Sequence, residues 1–456
     1  MAYFEDPISD ATFTYESGPL SYTDFPHTDE PVFILGEQYS VLYDLAEIRD
    51  DVTSRLWFTY RRGFPNIGGT GPSCDTGWGC MLRCGQMMLA QALVNRHLGR
   101  GWRWHSSSSK DERYRRILEM FMDKKSSYFS IHQIASMGVS EGKTVGQWFG
   151  PNTVAQVLKK LVVYDEWSSL AVHVAMDNSV IMDDIKCLCK CKHGDDLGKC
   201  SIRQGSKRHQ AGQRRQDRDY ISFTTSSDTS SSALNSPPEH SPRSVDLGTW
   251  KPLLLFIPLR LGLTDTNVVY VESLKKCLSL KQSIGMIGGK PNHAHWFIGY
   301  MGDELVYLDP HTTQMVVEAD DINISDESYH CQYSSRMKIL DLDPSIALGF
   351  YCSTEADFED LCGDLRQFVT NRQTSAMFEL HKERPLHWPP YEPYTLKATA
   401  NPKGTIYIFI IPSHRQRDIV FALSVRLSVR PSVHLEPYLG SALGDFIETW
   451  YEYIYG

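Results

Sequence analysis

The order of periodicities along the chain predicts an α+β fold. Helical spacings dominate the first part and strand-like runs the second, without the strand–helix alternation of a parallel α/β sheet. A polar stretch interrupts the chain, yet both of its flanks supply parts of one candidate site, so the flanks read as one unit.

Residues 1–29 carry little apolar periodicity, least of all up to Tyr22, and read as a mobile arm. "PVFILG" from Pro31 is the first strand-like run. "NIGGTGPSCDTGWG" then supplies a glycine-rich approach to Cys80, where the period turns helical: Met81, Cys84, Met88, Leu89, Ala92 and Leu93 share one face, and Gly99 is a stop signal. "GPNTVAQVLKKLVVY" predicts a second helix, opened by Pro151 and Asn152, with Val154, Val157, Leu158 and Leu161 on its apolar face. "LAVHVAM" reads as a buried strand. The first part of the core spans 30–192.

From 193 to 248 the chain is rich in Ser, Arg, Lys and Gln and cannot bury enough apolar surface to offset its ordering entropy, which predicts a disordered insertion. The second part of the core, 249–384, resumes with the strand "WKPLLLFIPLRLGL". "HWFIGYMGDELVYLDPHTT" predicts a β-hairpin turning at "MGDE". "DPSIALGFYC" is a further strand, and "STEADFEDLCGDLRQFV" a helix with Thr354 and Asp357 at capping spacing. The segment 385–456 has no clear pattern beyond the apolar run "TIYIFIIP" and a short Ser-Val-Arg repeat.

The totals narrow the function classes. At 456 residues the chain could form up to three domains, and 41% hydrophobic with 22% charged residues is an ordinary globular composition. A net charge of -9 argues against a nucleic-acid binder, whose footprint is basic. "MAYFEDPISD" lacks the basic start and apolar run of a secretory signal, and no apolar run reaches the roughly 20 residues of a membrane helix, so a cytosolic protein is expected. Of eleven irregularly spaced cysteines, most are then expected as free thiols. "CLCKCKHGDDLGKC" brings Cys187, Cys189, Cys191, His193 and Cys200 together without the paired spacing of a zinc site; an exposed, redox-sensitive cluster is expected instead. The basic run "SKRHQAGQRRQDRD" reads as a solvated linker.

Chemistry concentrates in two places. Cys80 falls at a helix start, where the dipole lowers a thiol pKa and the first amides have no helical partner, so they could hold an oxyanion. Cys84, one turn deeper, reads as packing, and packing stays open for Cys80 too. In "LDPH", Asp309 and His311 are two apart at a strand end, their Cα atoms roughly 6–7 Å apart, which permits a carboxylate–imidazole hydrogen bond. A turn aspartate beside a surface histidine is the alternative. His293 and His295 have no carboxylate close in sequence, and "GMIGGKPN" before them reads as a flexible loop, or else as an ordinary hairpin connection.

Five blocks, "DTGWGCMLRCGQM", "EGKTVGQWFGPNTVAQVLKKL", "IGGKPNHAHWF", "YLDPHTTQ" and "LDPSIALGFYC", resemble the autophagins, most of all the animal A/B-type members. These are autophagy-related cysteine proteases that process ubiquitin-like modifiers of the light-chain-3/GABARAP class. The resemblance implies a papain-like fold with a small auxiliary subdomain and a triad of Cys80, His311 and Asp309. It implies an oxyanion hole of the Tyr60 hydroxyl and the Cys80 amide, and a cleft between Trp148 and a loop at Pro291. It further implies a monomeric enzyme without metal or cofactor. Such an enzyme would act on the modifiers and on their phosphatidylethanolamine conjugates during transient membrane-surface contact. A scaffold that holds the same modifiers without cutting them is the competing expectation. The insertion and the tail, where Tyr451 to Ile454 form an aromatic-x-x-aliphatic pattern, are outside the shared blocks.

Overall fold

The computed structural model describes residues 24–190, 249–317, 325–368 and 376–385, and the backbone of 396–400, 405–410 and 422–426. In chain order the elements are β1 (Pro31–Ile34), β2 (Glu37–Ser40), α1 (Leu45–Thr53), β3 (Tyr60–Arg62), α2 (Cys80–His97), α3 (Glu112–Glu119), α4 (Ile131–Met137), α5 (Pro151–Leu161), β4 (Ala171–Val174), β5 (Ser179–Ile181) and α6 (Met182–Lys190). The second part holds β6 (Leu253–Arg260), α7 (Val271–Ser279), β7 (Ser283–Lys290), β8 (His293–Met301), β9 (Glu304–Leu308), β10 (Thr313–Met315), β11 (Ser335–Lys338), β12 (Ser345–Cys352), α8 (Glu355–Phe368) and β13 (Glu379–His381). By itself, β14 (Leu396–Ala400), β15 (Thr405–Ile410) and β16 (Ala422–Arg426) form an antiparallel meander in the segment that sequence patterning left unassigned.

The expected α+β architecture is present. One mixed sheet runs β11-β9-β8-β7-β12-β6-β4, and the β1–β2 hairpin adds to β8. Its pairings are antiparallel except β4 with β6. Each face covers its own core. One core joins α2 and α5 to Ala294, Trp296 and Val306; the other joins α7 and α8 to Phe297, Leu305 and Phe350. A small parallel pair, β5 with β13, stands outside the main sheet.

α2 departs from the amphipathic reading. Every residue from Cys80 to Val94 is buried, including Arg83, Gln86 and Gln91, because the helix lies between the sheet and α3, α4 and α5. Gly85 makes this possible: a Cβ there would meet Val154 Cγ2 at 2.7 Å, so α5 approaches where a larger residue would hold it off. Gly99 ends the helix as expected, left-handed at φ 90°, with its amide bonded to Val94 O. The cap of α8 is also as expected, Thr354 Oγ1 accepting from the Asp357 amide at 3.1 Å.

The reading of "GMIGGKPN" as a flexible loop is corrected. β7 runs to Lys290 and β8 starts at His293, so only Pro291 and Asn292 turn the chain. Proline fixes the entry and asparagine tolerates the left-handed φ of 63°. The thiol cluster is also corrected: Cys187 and Cys189 lie on α6, and Cys189 is fully buried in the second core. Cys191, His193 and Cys200 lie outside the described residues, as do the whole insertion 193–248 and the Tyr451 to Ile454 pattern. The nine described cysteines are free thiols.

Candidate active site

The site forms where the start of α2 meets the end of β9. Cys80 is the first residue of α2, with Gly79 at the cap. Gly79 is required there, because a Cβ would lie 2.2 Å from Asp75 Oδ2. Asp75 is buried and organises the approach. Its carbonyl accepts from the Trp78 and Gly79 amides, Oδ1 from the Arg61 amide at 2.6 Å, and Oδ2 from Arg83 Nε at 2.8 Å. Arg83 continues to Asp123 Oδ1 at 2.8 Å and Gln86 Oε1 at 3.1 Å, all of it buried. One carboxylate therefore ties the start of α2 to β3.

Asp309 and His311 follow β9 rather than lying within a strand. Their approach comes from a turn: Asp309 Oδ1 accepts both the His311 amide at 2.9 Å and His311 Nδ1 at 2.5 Å. Trp57 Nε1 donates to the Asp309 carbonyl at 2.7 Å. β10 then pairs in parallel with β3, Thr313 opposite Tyr60, and the Tyr60 amide donates to Pro310 O. This seats the Tyr60 ring edge-on to His311, centroids 5.6 Å apart.

Cys80 and Tyr60 are thus brought to Asp309 and His311, more than 200 residues further along the chain. Tyr60 Oη and His311 Nε2 are buried without a closely aligned hydrogen-bond partner, and both act on the Cys80 sulfur. Burial pushes the Cys80 thiol up, but the His311 imidazole, the Tyr60 hydroxyl and the Asn292 amide outweigh it and hold the thiol below its ordinary value. Burial disfavours the charged form of His311, and Asp309 and Cys80 more than offset this, raising it to about 9. Asp309 stays below the usual carboxylate value: burial would raise it, and His311 and His295 outweigh burial. Burial and the Cys80 charge push Tyr60 up, so it remains a hydroxyl donor. Cys84 is raised well above a normal thiol by burial and the neighbouring Cys80 charge.

Trp148 is partly buried in the segment before α5, its Nε1 buried without a hydrogen bond; Pro291 is exposed at the β7–β8 turn. Sequence reasoning missed three neighbours. Asn292, next to Pro291, donates its amide toward Cys80. Trp57 carried no signal. His295, which seemed to lack a carboxylate, has Nε2 3.9 Å from Asp309 Oδ2. Among the described residues, His295, Asp309 and His311 are the only grouping with donor atoms close enough, within 4.8 Å, to hold a metal ion, and the 2.5 Å hydrogen bond already joins two of those atoms.

This geometry is that of an activated thiol: a sulfur at a helix start, an imidazole beside it and a carboxylate fixing the imidazole. Comparison with known proteins agrees. The peptidase C54 catalytic domain matches residues 45–364. The chain is 53% identical over 380 residues to the chicken (Gallus gallus) cysteine protease ATG4B, covering 83% of this chain and 91% of that one. Against ATG4A of Xenopus laevis it is 50% identical over 394 residues, covering 86% and 92%. Against human ATG4A it is 47% identical over 385 residues, covering 83% and 90%. No helix among the described residues is long and apolar enough to cross a membrane. The chain belongs to the peptidase C54 family of papain-like cysteine proteases.

Proposed function

We propose that this protease supports autophagosome formation in the cytoplasm by hydrolysing the bond after the C-terminal glycine of light-chain-3/GABARAP-type ubiquitin-like modifiers. The same site would remove the C-terminal extension of the precursor and release the modifier from phosphatidylethanolamine. Both substrates are amides of one glycine carboxyl, and they differ only in the leaving amine, so one acyl-transfer site serves both.

Cys80 is the nucleophile, His311 the base and then the acid, and Asp309 the residue that orients His311. The thiolate attacks the glycyl carbonyl, and the oxyanion is held by the Tyr60 hydroxyl and the Cys80 amide. His311 passes its proton to the departing amine, leaving a thioester. Water then attacks with His311 as base, freeing the glycine carboxylate and the thiol. Trp148 and Pro291 flank a narrow cleft that admits glycine and excludes larger side chains. The Asn292 amide occupies the sulfur's surroundings in the free protein, so the β7–β8 turn shifts when substrate enters. Membrane contact is brief, made through the conjugated substrate, and the enzyme acts as a monomer.

The observation that carries this reading is geometric: Cys80 opens α2 while Cys84 lies one turn deeper, and His311, with Nδ1 held 2.5 Å from Asp309 Oδ1, lies edge-on to the Tyr60 ring. Mass spectrometry of a modifier precursor incubated with the protein tests it. Cys80→Ala is expected to abolish the cut after glycine, while Cys84→Ala retains at least about a third of wild-type turnover, a loss under about 1 kcal/mol. Equal loss in two folded variants would sink the assignment.

A further inference from the structure

We propose that His295 is a positioning residue for the catalytic pair: from the sheet face opposite α2, its Nε2–H holds Asp309 Oδ2 and so keeps Oδ1 on His311. This rests on the reading of Cys80, His311 and Asp309 as the catalytic set.

The placement comes from a register shift. β8 and β9 pair Trp296 with Leu308 and Phe297 with Tyr307, but Gly299 with Val306, so β8 carries one extra residue between them. Extending the register by one pair sets His295 opposite Asp309. Without the bulge, the pairing at the turn (Met301 with Glu304) would set Trp296 there instead. Ala294 and Trp296 belong to the core on the α2 side, so His295 between them points to the other face. There its ring lies 4.4 Å from Tyr307 and 5.9 Å from Phe297, centroid to centroid, and 5.3 Å from His311.

Asp309 Oδ1 already accepts two hydrogen bonds from His311. His295 Nε2 faces Oδ2 at 3.9 Å, is buried and has no other hydrogen-bond partner. A closure of about 1 Å makes the hydrogen bond, and such contacts commonly tighten as the reaction proceeds. Burial, with His311 and His293 beside it, outweighs the pull of Asp309 and lowers His295 to about 4, so it is a neutral imidazole near neutral pH. A neutral ring supplies a directed N–H without a second positive charge against His311. Among the described residues, the Tyr307 phenol from β9 also faces the ring, and Gly288, the β7 partner of His295, carries no charge.

The test compares wild type with His295→Phe, which keeps the ring but not the donor, and His295→Gln, which restores an N–H at similar reach. Two readouts are taken: cleavage kinetics on a light-chain-3-type precursor, and the pH dependence of Cys80 alkylation by iodoacetamide, read on the Cys80 peptide by mass spectrometry. In His295→Phe we expect kcat to fall about ten- to a hundredfold with KM little changed. The upper inflection of the alkylation profile, near 9 in wild type where His311 loses its proton, should drop by about one pH unit, a tenfold change in proton affinity. His295→Gln should recover both. Equal impairment in the two variants with the inflection unmoved, or full activity in His295→Phe, would overturn the proposal. Cleavage surviving in Cys80→Ala would instead overturn the catalytic reading beneath it.

Discussion

Cys80 and Cys84 show how little of a residue's chemistry lies in its name. Both are buried on one helix, but only Cys80 has an imidazole and a hydroxyl beside its sulfur. His311 raised to about 9 and Cys80 lowered are shifts that favour a thiolate–imidazolium pair over a thiol beside a neutral imidazole. The pH profile of kcat/KM should therefore rise on an acid limb that lies below the ordinary thiol range, as Cys80 loses its proton. It should fall on an alkaline limb near 9, as His311 loses the proton that the leaving amine needs. The sign for stability follows from the same shift. His311 binds its proton more tightly when folded, so its contribution is full below the unfolded value of about 6.5 and is lost as pH rises through about 9. Precursor cleavage from pH 5 to 10 reads the catalytic part. A profile still rising through pH 9 would show that no such ion pair forms.

At the scale of elements, the helix that carries Cys80 is fixed by an ion network that the sequence disguised. "DTGWGCMLRCG" reads as a turn and an amphipathic helix, and nothing in it marks Arg83, because periodicity registers apolar positions and not enclosure. In the structure Arg83 is buried between Asp75 and Asp123, which are also buried, and the pairs are 2.8 Å each. Removing one partner leaves two uncompensated carboxylates, so Arg83→Met should cost about 3–5 kcal/mol in denaturant unfolding. Because Asp75 also caps the approach to Cys80 and bonds the Arg61 amide beside Tyr60, activity should fall as well. A loss below about 1 kcal/mol would show that Arg83 is dispensable to the helix. The β8–β9 hairpin was legible from its turn and its aromatic and β-branched runs, but its bulge was not. No residue type announces an extra residue in a ladder, and that one residue decides whether His295 or Trp296 faces Asp309.

Across the whole molecule, what was legible was what local patterning controls: the start and stop of α2, α5 with its proline, the strands β6 and β12, and the break in composition after α6. What was not legible depends on contacts distant in sequence. β3 pairs with β10 across some 250 residues, and Trp57 reaches Asp309 at |i−j| of 252. The same long-range closure says what the insertion costs. The Lys251 amide donates to Cys189 O at 2.8 Å, so the chain leaves α6 and re-enters before β6 at one point on the fold. Among the described residues, Cys80, Tyr60 and α2 precede 193–248, and Asp309 and His311 come after it, just past β9 in the sheet that β6 and β12 belong to. Closure entropy grows only with the logarithm of loop length, so replacing 193–248 by a short Gly-Ser linker should change stability by at most about 2 kcal/mol, in the stabilising direction. Precursor cleavage should then remain within about threefold of wild type, with a midpoint of thermal unfolding equal or higher. A shortened protein that folds with that higher midpoint but no longer cleaves would place substrate recognition in the insertion. One that unfolds at a lower temperature would show that 193–248 contributes to the folded core after all.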